Sequence, residues 1–222
     1  METVYGVLGT KCGGTARIVF DNVELSEDTV KGGVNIGYDV FNIMMIPKRL
    51  TTVAGSVGVA MAAIEIAADY ATKREAFGSK IIKHEGVSFR ITESLTAIHE
   101  VSSLVYTASK AAYLFKKKKI PYSYVRKLVL MAKLNSTEVM WKAVNDAMQV
   151  LGGIGYTTIY PIERLLRDSR LGMIWTGTNE VMKMIIQHEF IKEIKDREYF
   201  STKRKVELDA LDFDLKEEKV YE

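Results

Sequence analysis

The sequence predicts an all-α fold: an up-and-down four-helix bundle carrying a short β appendage at its N-terminus. Apolar residues recur at the helical period over most of the chain, and only three prolines interrupt 222 residues. The strand period, by contrast, is confined to the N-terminal segment. The chain divides accordingly into residues 1–32, a strand or hairpin; 33–195, the helical bundle; and 196–222, a charged C-terminal tail.

The elements follow in order. In Thr15–Leu25, Ala16, Ile18 and Phe20 alternate with Arg17, Val19 and Asp21, which is the pattern of a strand with one buried face. Gly13-Gly14 and Asp21-Asn22 supply turns. Two strands do not stand alone in water, so this piece must lean on the bundle, another subunit or a separate chain. Helices are expected over Gly33–Thr72, with a kink at Pro47, then His84–Lys118, Tyr122–Leu151, a short segment after Pro161, and Asn179–Lys195. Ile64, Ala67, Ala68 and Ala71 mark one apolar face, and Val125, Leu128, Val129 and Ala132 another. Gly55, Gly58 and Ala62 line a small-residue side of the first helix where another helix could approach. The tail holds six Lys/Arg against nine Asp/Glu, a net of −3, and reads as a solvated extension.

Composition narrows the function classes. The formal charge is 31 − 28 = +3, too small a surplus to point to nucleic acid. Lys116–Lys119 most simply completes a helix C-terminus. A single cysteine, Cys12, forms no intramolecular disulfide, and METVYGVLGTK lacks the layout of a signal peptide, so a cytoplasmic location is expected. The apolar stretch Val53–Ala68 carries Glu65 and is shorter than the roughly 20 residues of a membrane span; no membrane partner is expected. His84 and His99 have no Glu or Cys at ligand spacing, and no metal site is expected. Glu163, Arg164, Arg167, Asp168 and Arg170 read as ion-pair scaffolding.

Three segments bear on chemistry. Arg74–Gly78 ends the first long helix, where Arg74 suits the helix dipole and Gly78 a C-cap. Gln149-Val-Leu-Gly-Gly-Ile-Gly-Tyr156 ends another; its glycines either make a turn or let backbone amides approach a phosphate. Ile174–Glu180 opens the last helix, with Thr178 placed as N-cap. Together with Lys83–Ser88 and Tyr160–Asp168, these segments, in this order, resemble the acyl-CoA dehydrogenase family. Residues from about Tyr5 to Lys195 are similar to its C-terminal part.

The resemblance implies a flavoprotein that removes two hydrogens from an acyl-CoA thioester, with a glutamate taking the Cα proton and FAD receiving the hydride. It implies a bundle that assembles as a homo-dimer or homo-tetramer. By position, Arg74 would meet the FAD diphosphate, and Phe77 the adenine–ribose region. Gln149, Gly152 and Gly153 would meet the ADP moiety of a neighbouring subunit's cofactor. Thr178 and Glu180 would lie near the same cofactor. Trp175, Thr176 and Arg49 would border the acyl pocket, although packing alone also accounts for Trp175.

Two features depart from the family. The catalytic glutamate stands just before the Gly-Thr of the last motif, where this chain has Thr176. A second group of relatives places it before an arginine in the first long helix, where this chain has Lys48 before Arg49. A threonine hydroxyl is not a base at neutral pH, and a lysine there is protonated unless desolvated. His188 also replaces an arginine common in the last helix. Secondly, the helical N-terminal and β domains of the family are missing from the sequence. The expectation is an acyl-CoA dehydrogenase-like, FAD-associated protein that needs a separate chain supplying those domains. The alternatives are a non-catalytic paralogue that assembles or binds FAD and acyl-CoA, and a flavin-dependent oxygenase that dispenses with the glutamate.

Overall fold

The computed structural model describes residues 3–196. Two short antiparallel strands, β1 (Thr3–Tyr5) and β2 (Thr15–Arg17), open the chain. Then follow α1 (Gly37–Lys73), β3 (Glu75–Ala76), β4 (Ser79–Lys80), α2 (Glu85–Lys116), α3 (Tyr122–Leu151), α4 (Ile162–Ser169) and α5 (Asn179–Asp196). The long helices α1, α2, α3 and α5 form the bundle, and α3 is its centre, packing against each of the other three.

Two apolar clusters fill the interior. Ala63, Ile64, Ala67, Ile98, Val144, Ala147 and Ile162 occupy the end near the α1–α2 connection. Val53, Ala108, Val125, Val129 and Ala132 occupy the opposite end. Small residues set the seam between α1 and α3: Ala60, Ala63, Ala67 and Ala71 are all buried, so the helices can approach closely. Gly55, Gly58 and Ala62 lie on the other side of α1 and are exposed, so the helix approach they suggested is not made among the described residues. By length and composition α1 is apolar enough to cross a membrane, more than its Val53–Ala68 segment alone indicates. Its buried residues are those that meet the other helices of the bundle. The helix continues through Pro47.

Polar contacts join the helices as well. Asp146 on α3 receives Arg90 and Ser94 from α2 at 3.1 and 2.9 Å, and Lys142 at 2.7 Å. Burial alone would raise its pKa, but the hydrogen bonds from Lys142 and Ser94 dominate and hold the carboxyl below its ordinary value. Arg126 and Glu189 pair at 3.0 Å between α3 and α5, and the adjacent Lys127 pairs with Glu193, one turn further along α5.

The N-terminal segment departs from the expected strand. Pairing stops at Arg17, and Ile18, Phe20 and Leu25 are exposed rather than buried on one face. The segment is tied to α4 instead: the Thr10 amide donates to Asp168 Oδ1 at 2.6 Å and Arg167 to the Leu8 carbonyl at 3.3 Å. Gly9 makes this approach possible, because a Cβ there would stand 2.4 Å from the Arg167 carbonyl oxygen. Gly78 is not a helix cap either. The helix ends at Lys73, and Phe77 and Gly78, both at positive φ, form the tight turn of the β3–β4 hairpin. Lys116 does end α2, with Lys118 in the left-handed conformation and its amide bonded to the Phe115 carbonyl. Residues 197–222, nearly all of the proposed tail, lie outside the described residues.

Candidate functional site

The residues singled out in the sequence fall into two groups. The first lies where α1 ends and α3 ends. Arg74, Gly152 and Gly153 line one groove of about 460 Å³ together with Tyr70, Ile81 and Ile154. Gln149 is exposed one turn earlier on α3. Phe77 projects from the hairpin tip, 95% exposed, its ring edge-on to His84 with centroids 6.1 Å apart.

Local sequence produces this arrangement. Gly152 terminates α3 at φ 64° and ψ −140°, a region that L side chains rarely adopt. Neither Gly152 nor Gly153 would have a Cβ within 4 Å of any other group, so their backbone faces open space. Arg74 is exposed and makes no ion pair among the described residues. An unpaired cation beside bare backbone is a donor set suited to an anion such as a phosphate.

The second group surrounds the turn that leads into α5. Thr176 has φ 54° and Gly177 φ 95°. A β-branched residue in this region is strained, and such strain persists only when the surroundings fix it. Two cations do so. Arg49 Nε of α1 donates to the Thr176 carbonyl at 3.1 Å, and Lys133 Nζ of α3 to the Gly177 carbonyl at 2.8 Å. Lys133 also donates to Asn179 Oδ1 at 2.8 Å, and the Asn179 amide donates to Thr137 Oγ1 at 3.1 Å.

The charges here are predominantly positive. Lys133 is fully buried, and burial, reinforced by Arg49, brings its pKa down to about 8. Burial, then the neighbouring Arg126, also lowers the pKa of Arg49. Thr176 Oγ1 is buried and has no hydrogen-bond partner among the described residues. Trp175 is half-exposed and borders a cleft of about 400 Å³ with Thr52 and Gly55 of α1. Thr178 caps α5 as expected, accepting from the Val181 amide at 3.4 Å. Glu180 is exposed, and hydrogen bonds from its own backbone amide and from Thr178 hold its pKa below the ordinary value, which makes it a weaker base. Lys48 is exposed on α1.

Lys133 escaped the sequence reading, and Asn179 entered it only as the start of the last helix and a member of the Ile174–Glu180 segment, without its polar contacts. The only signal of Lys133 is position: it lies on the stripe Val129, Ala132, Ser136, Thr137, Met140, all of it buried. A lysine there is the exception that a purely polar/apolar reading passes over.

Residues 35–191 match the family model described as acyl-CoA dehydrogenase, C-terminal domain. An acyl-CoA dehydrogenase of Bacillus subtilis (strain 168) is 35% identical over 179 residues, covering 81% of this chain and 45% of that protein. The mitochondrial short-chain specific acyl-CoA dehydrogenase of Bos taurus is 28% identical over 188 residues, covering 85% of this chain and 44% of its own length. Among solved structures, butyryl-CoA dehydrogenase from Megasphaera elsdenii superimposes with a TM-score of 0.79 at 26% identity, covering 86% of this chain and 48% of that one. The chain thus spans about half the length of the curated relatives it matches. The order of the motifs, the helical architecture and these matches agree, and the chain belongs to the acyl-CoA dehydrogenase family through its C-terminal helical domain.

Proposed function

We propose that this chain supplies the FAD-nucleotide-binding and assembling half of an acyl-CoA dehydrogenase-type oxidoreductase, the complementary half corresponding to the part of its relatives that the chain does not span. The observation that carries the reading is the groove that joins Arg74 to Gly152 and Gly153. Its open glycine backbone and unpaired guanidinium fit a diphosphate. When bound, FAD supplies acceptance of a hydride from the acyl-CoA Cβ. Arg74 and the two glycines would hold its nucleotide end, and Trp175 would border the acyl side. A half-exposed Trp175 and the exposed apolar Ile18, Phe20, Leu25, Val34 and Phe41 give the complementary half a surface to cover. Homo-oligomerisation through the helical faces and a cytoplasmic location belong to the same proposal.

Thr176 favours a second reading, a non-catalytic module that assembles and binds FAD or acyl-CoA. Neither acid–base candidate that the sequence offers at this turn is a competent base: a threonine hydroxyl does not titrate near neutrality, and Glu180 is exposed and weakened. Co-purification with the complementary half tests both. Flavin that co-purifies with the wild-type complex and is lost in Arg74→Glu supports nucleotide binding at the groove, whereas retention in the variant refutes it. Bleaching of that flavin by acyl-CoA selects the dehydrogenase reading, and a spectrum unchanged by acyl-CoA selects the non-catalytic one.

A further inference from the structure

A groove of about 740 Å³ lies at the end of the bundle opposite Arg74 and Gly152. It is formed where α2 ends, α3 begins and α5 ends. Ala111, Leu114 and Leu128 give it an apolar floor, and Lys110, Lys127 and Lys192 stand around its rim. The carboxylates of the rim are already engaged, Glu189 with Arg126 and Glu193 with Lys127. Lys110 and Lys192 are exposed and have no ion pair among the described residues. The Lys116–Lys119 run at the end of α2 adds further positive charge beside them. An apolar floor inside a basic rim calls for an apolar segment that carries acids.

The chain contains one, and α5 delivers it to the rim. Lys192 and Glu193 line the groove, and α5 ends at Asp196. Beyond it, Val206-Glu-Leu-Asp-Ala-Leu-Asp-Phe-Asp-Leu215 intersperses five large apolar residues with four acids, and residues 206–222 hold two Lys against seven Asp/Glu, 2 − 7 = −5. Residues 197–205 between them reach up to about 30 Å when extended, enough to double back over the groove. A second copy would instead bring one basic rim against another, and a nucleic acid would leave the apolar floor unmatched.

We propose that Val206–Leu215 docks in this groove, its apolar side chains on the α2–α3 floor and its acids against Lys110 and Lys192. The inference does not depend on flavin or on acyl-CoA, so its test is separate from that of the proposed function.

The test is amide hydrogen exchange and zero-length carboxyl–amine cross-linking on the full chain. Val206–Leu215 should exchange at least about tenfold more slowly than an unstructured segment, and lose that protection in Lys110→Glu/Lys192→Glu, whose exposed positions leave the fold intact. Cross-links from Lys110 or Lys192 to Glu207, Asp209, Asp212 or Asp214 should lie within one chain and persist on dilution. Exchange at the unprotected rate in the wild type, protection indifferent to the charge reversal, or cross-links only between chains that vanish on dilution would each overturn the proposal. The last of these would identify a second copy as the occupant.

Discussion

At the residue scale, the turn at Thr176 is where the family resemblance would seat a catalytic glutamate. Its backbone is fixed from two sides by Arg49 and Lys133, yet the side chain it presents is a hydroxyl without a partner among the described residues. A positioned base contributes about 10²–10⁴ in rate. In a complex with the complementary half, Thr176→Glu should therefore speed flavin bleaching by acyl-CoA by roughly that factor, measured by anaerobic stopped-flow absorbance; an unchanged rate would place the base elsewhere. Lys133 gives a second prediction. Its pKa falls to about 8 in the folded protein, against an ordinary 10.5, so above pH 8 the unfolded chain binds more protons than the native one and stability rises with pH. Burial raises the pKa of Tyr122, which opposes the trend near pH 10 and limits the window to about pH 8–9.5. Lys133→Met should abolish that rise. It should also destabilise by about 2 kcal/mol at pH 7, because the Gly177 and Asn179 carbonyl oxygens lose their donor. Urea denaturation at pH 7 and pH 9 checks both. The Thr176 turn was legible because the motif residues around it mark it out, whereas Lys133 was not, since a lone lysine on a helix gives no sign of burial.

At the element scale, the long helices were legible to within four residues at their ends: α1 begins at Gly37 rather than Gly33, and α2 ends at Lys116 rather than Lys118. Tyr122–Leu151 is delimited by Pro121 and Gly152, and the structure begins and ends α3 there. The N-terminal strand was less so: alternation in Thr15–Leu25 signals a strand only if a partner covers it, and β1 reaches no further than Arg17. Gly9 anchors this segment through contact with α4, a tertiary relation that has no local signature. Gly9→Ala should break the Thr10–Asp168 contact, seen as faster proteolysis before residue 17 while the bundle's thermal midpoint holds; unchanged cleavage would show that the segment is held by other contacts. Ala63→Leu, by contrast, overpacks the α1–α3 seam and should cost about 1–3 kcal/mol in global stability; a neutral effect would mean that the seam can yield.

At the scale of the whole molecule, the two groups of site residues occupy different parts of the bundle, one at the α1 and α3 C-termini and one at the start of α5. Composition and periodicity identified a stable helical body, and the motifs identified its family. Neither could show that Arg74, 78 residues before Gly152 in sequence, lines the same groove as Gly152 and Gly153, which depends on α1 and α3 packing side by side. The account rests on that groove holding the nucleotide end of FAD. The most direct test is the flavin absorbance of the complex with its complementary half, normalised to protein, for the wild type and Arg74→Glu. The wild type should retain flavin through gel filtration while Arg74→Glu emerges colourless with its helical spectrum intact; equal flavin in the two proteins, or a colourless wild-type complex, would contradict the account.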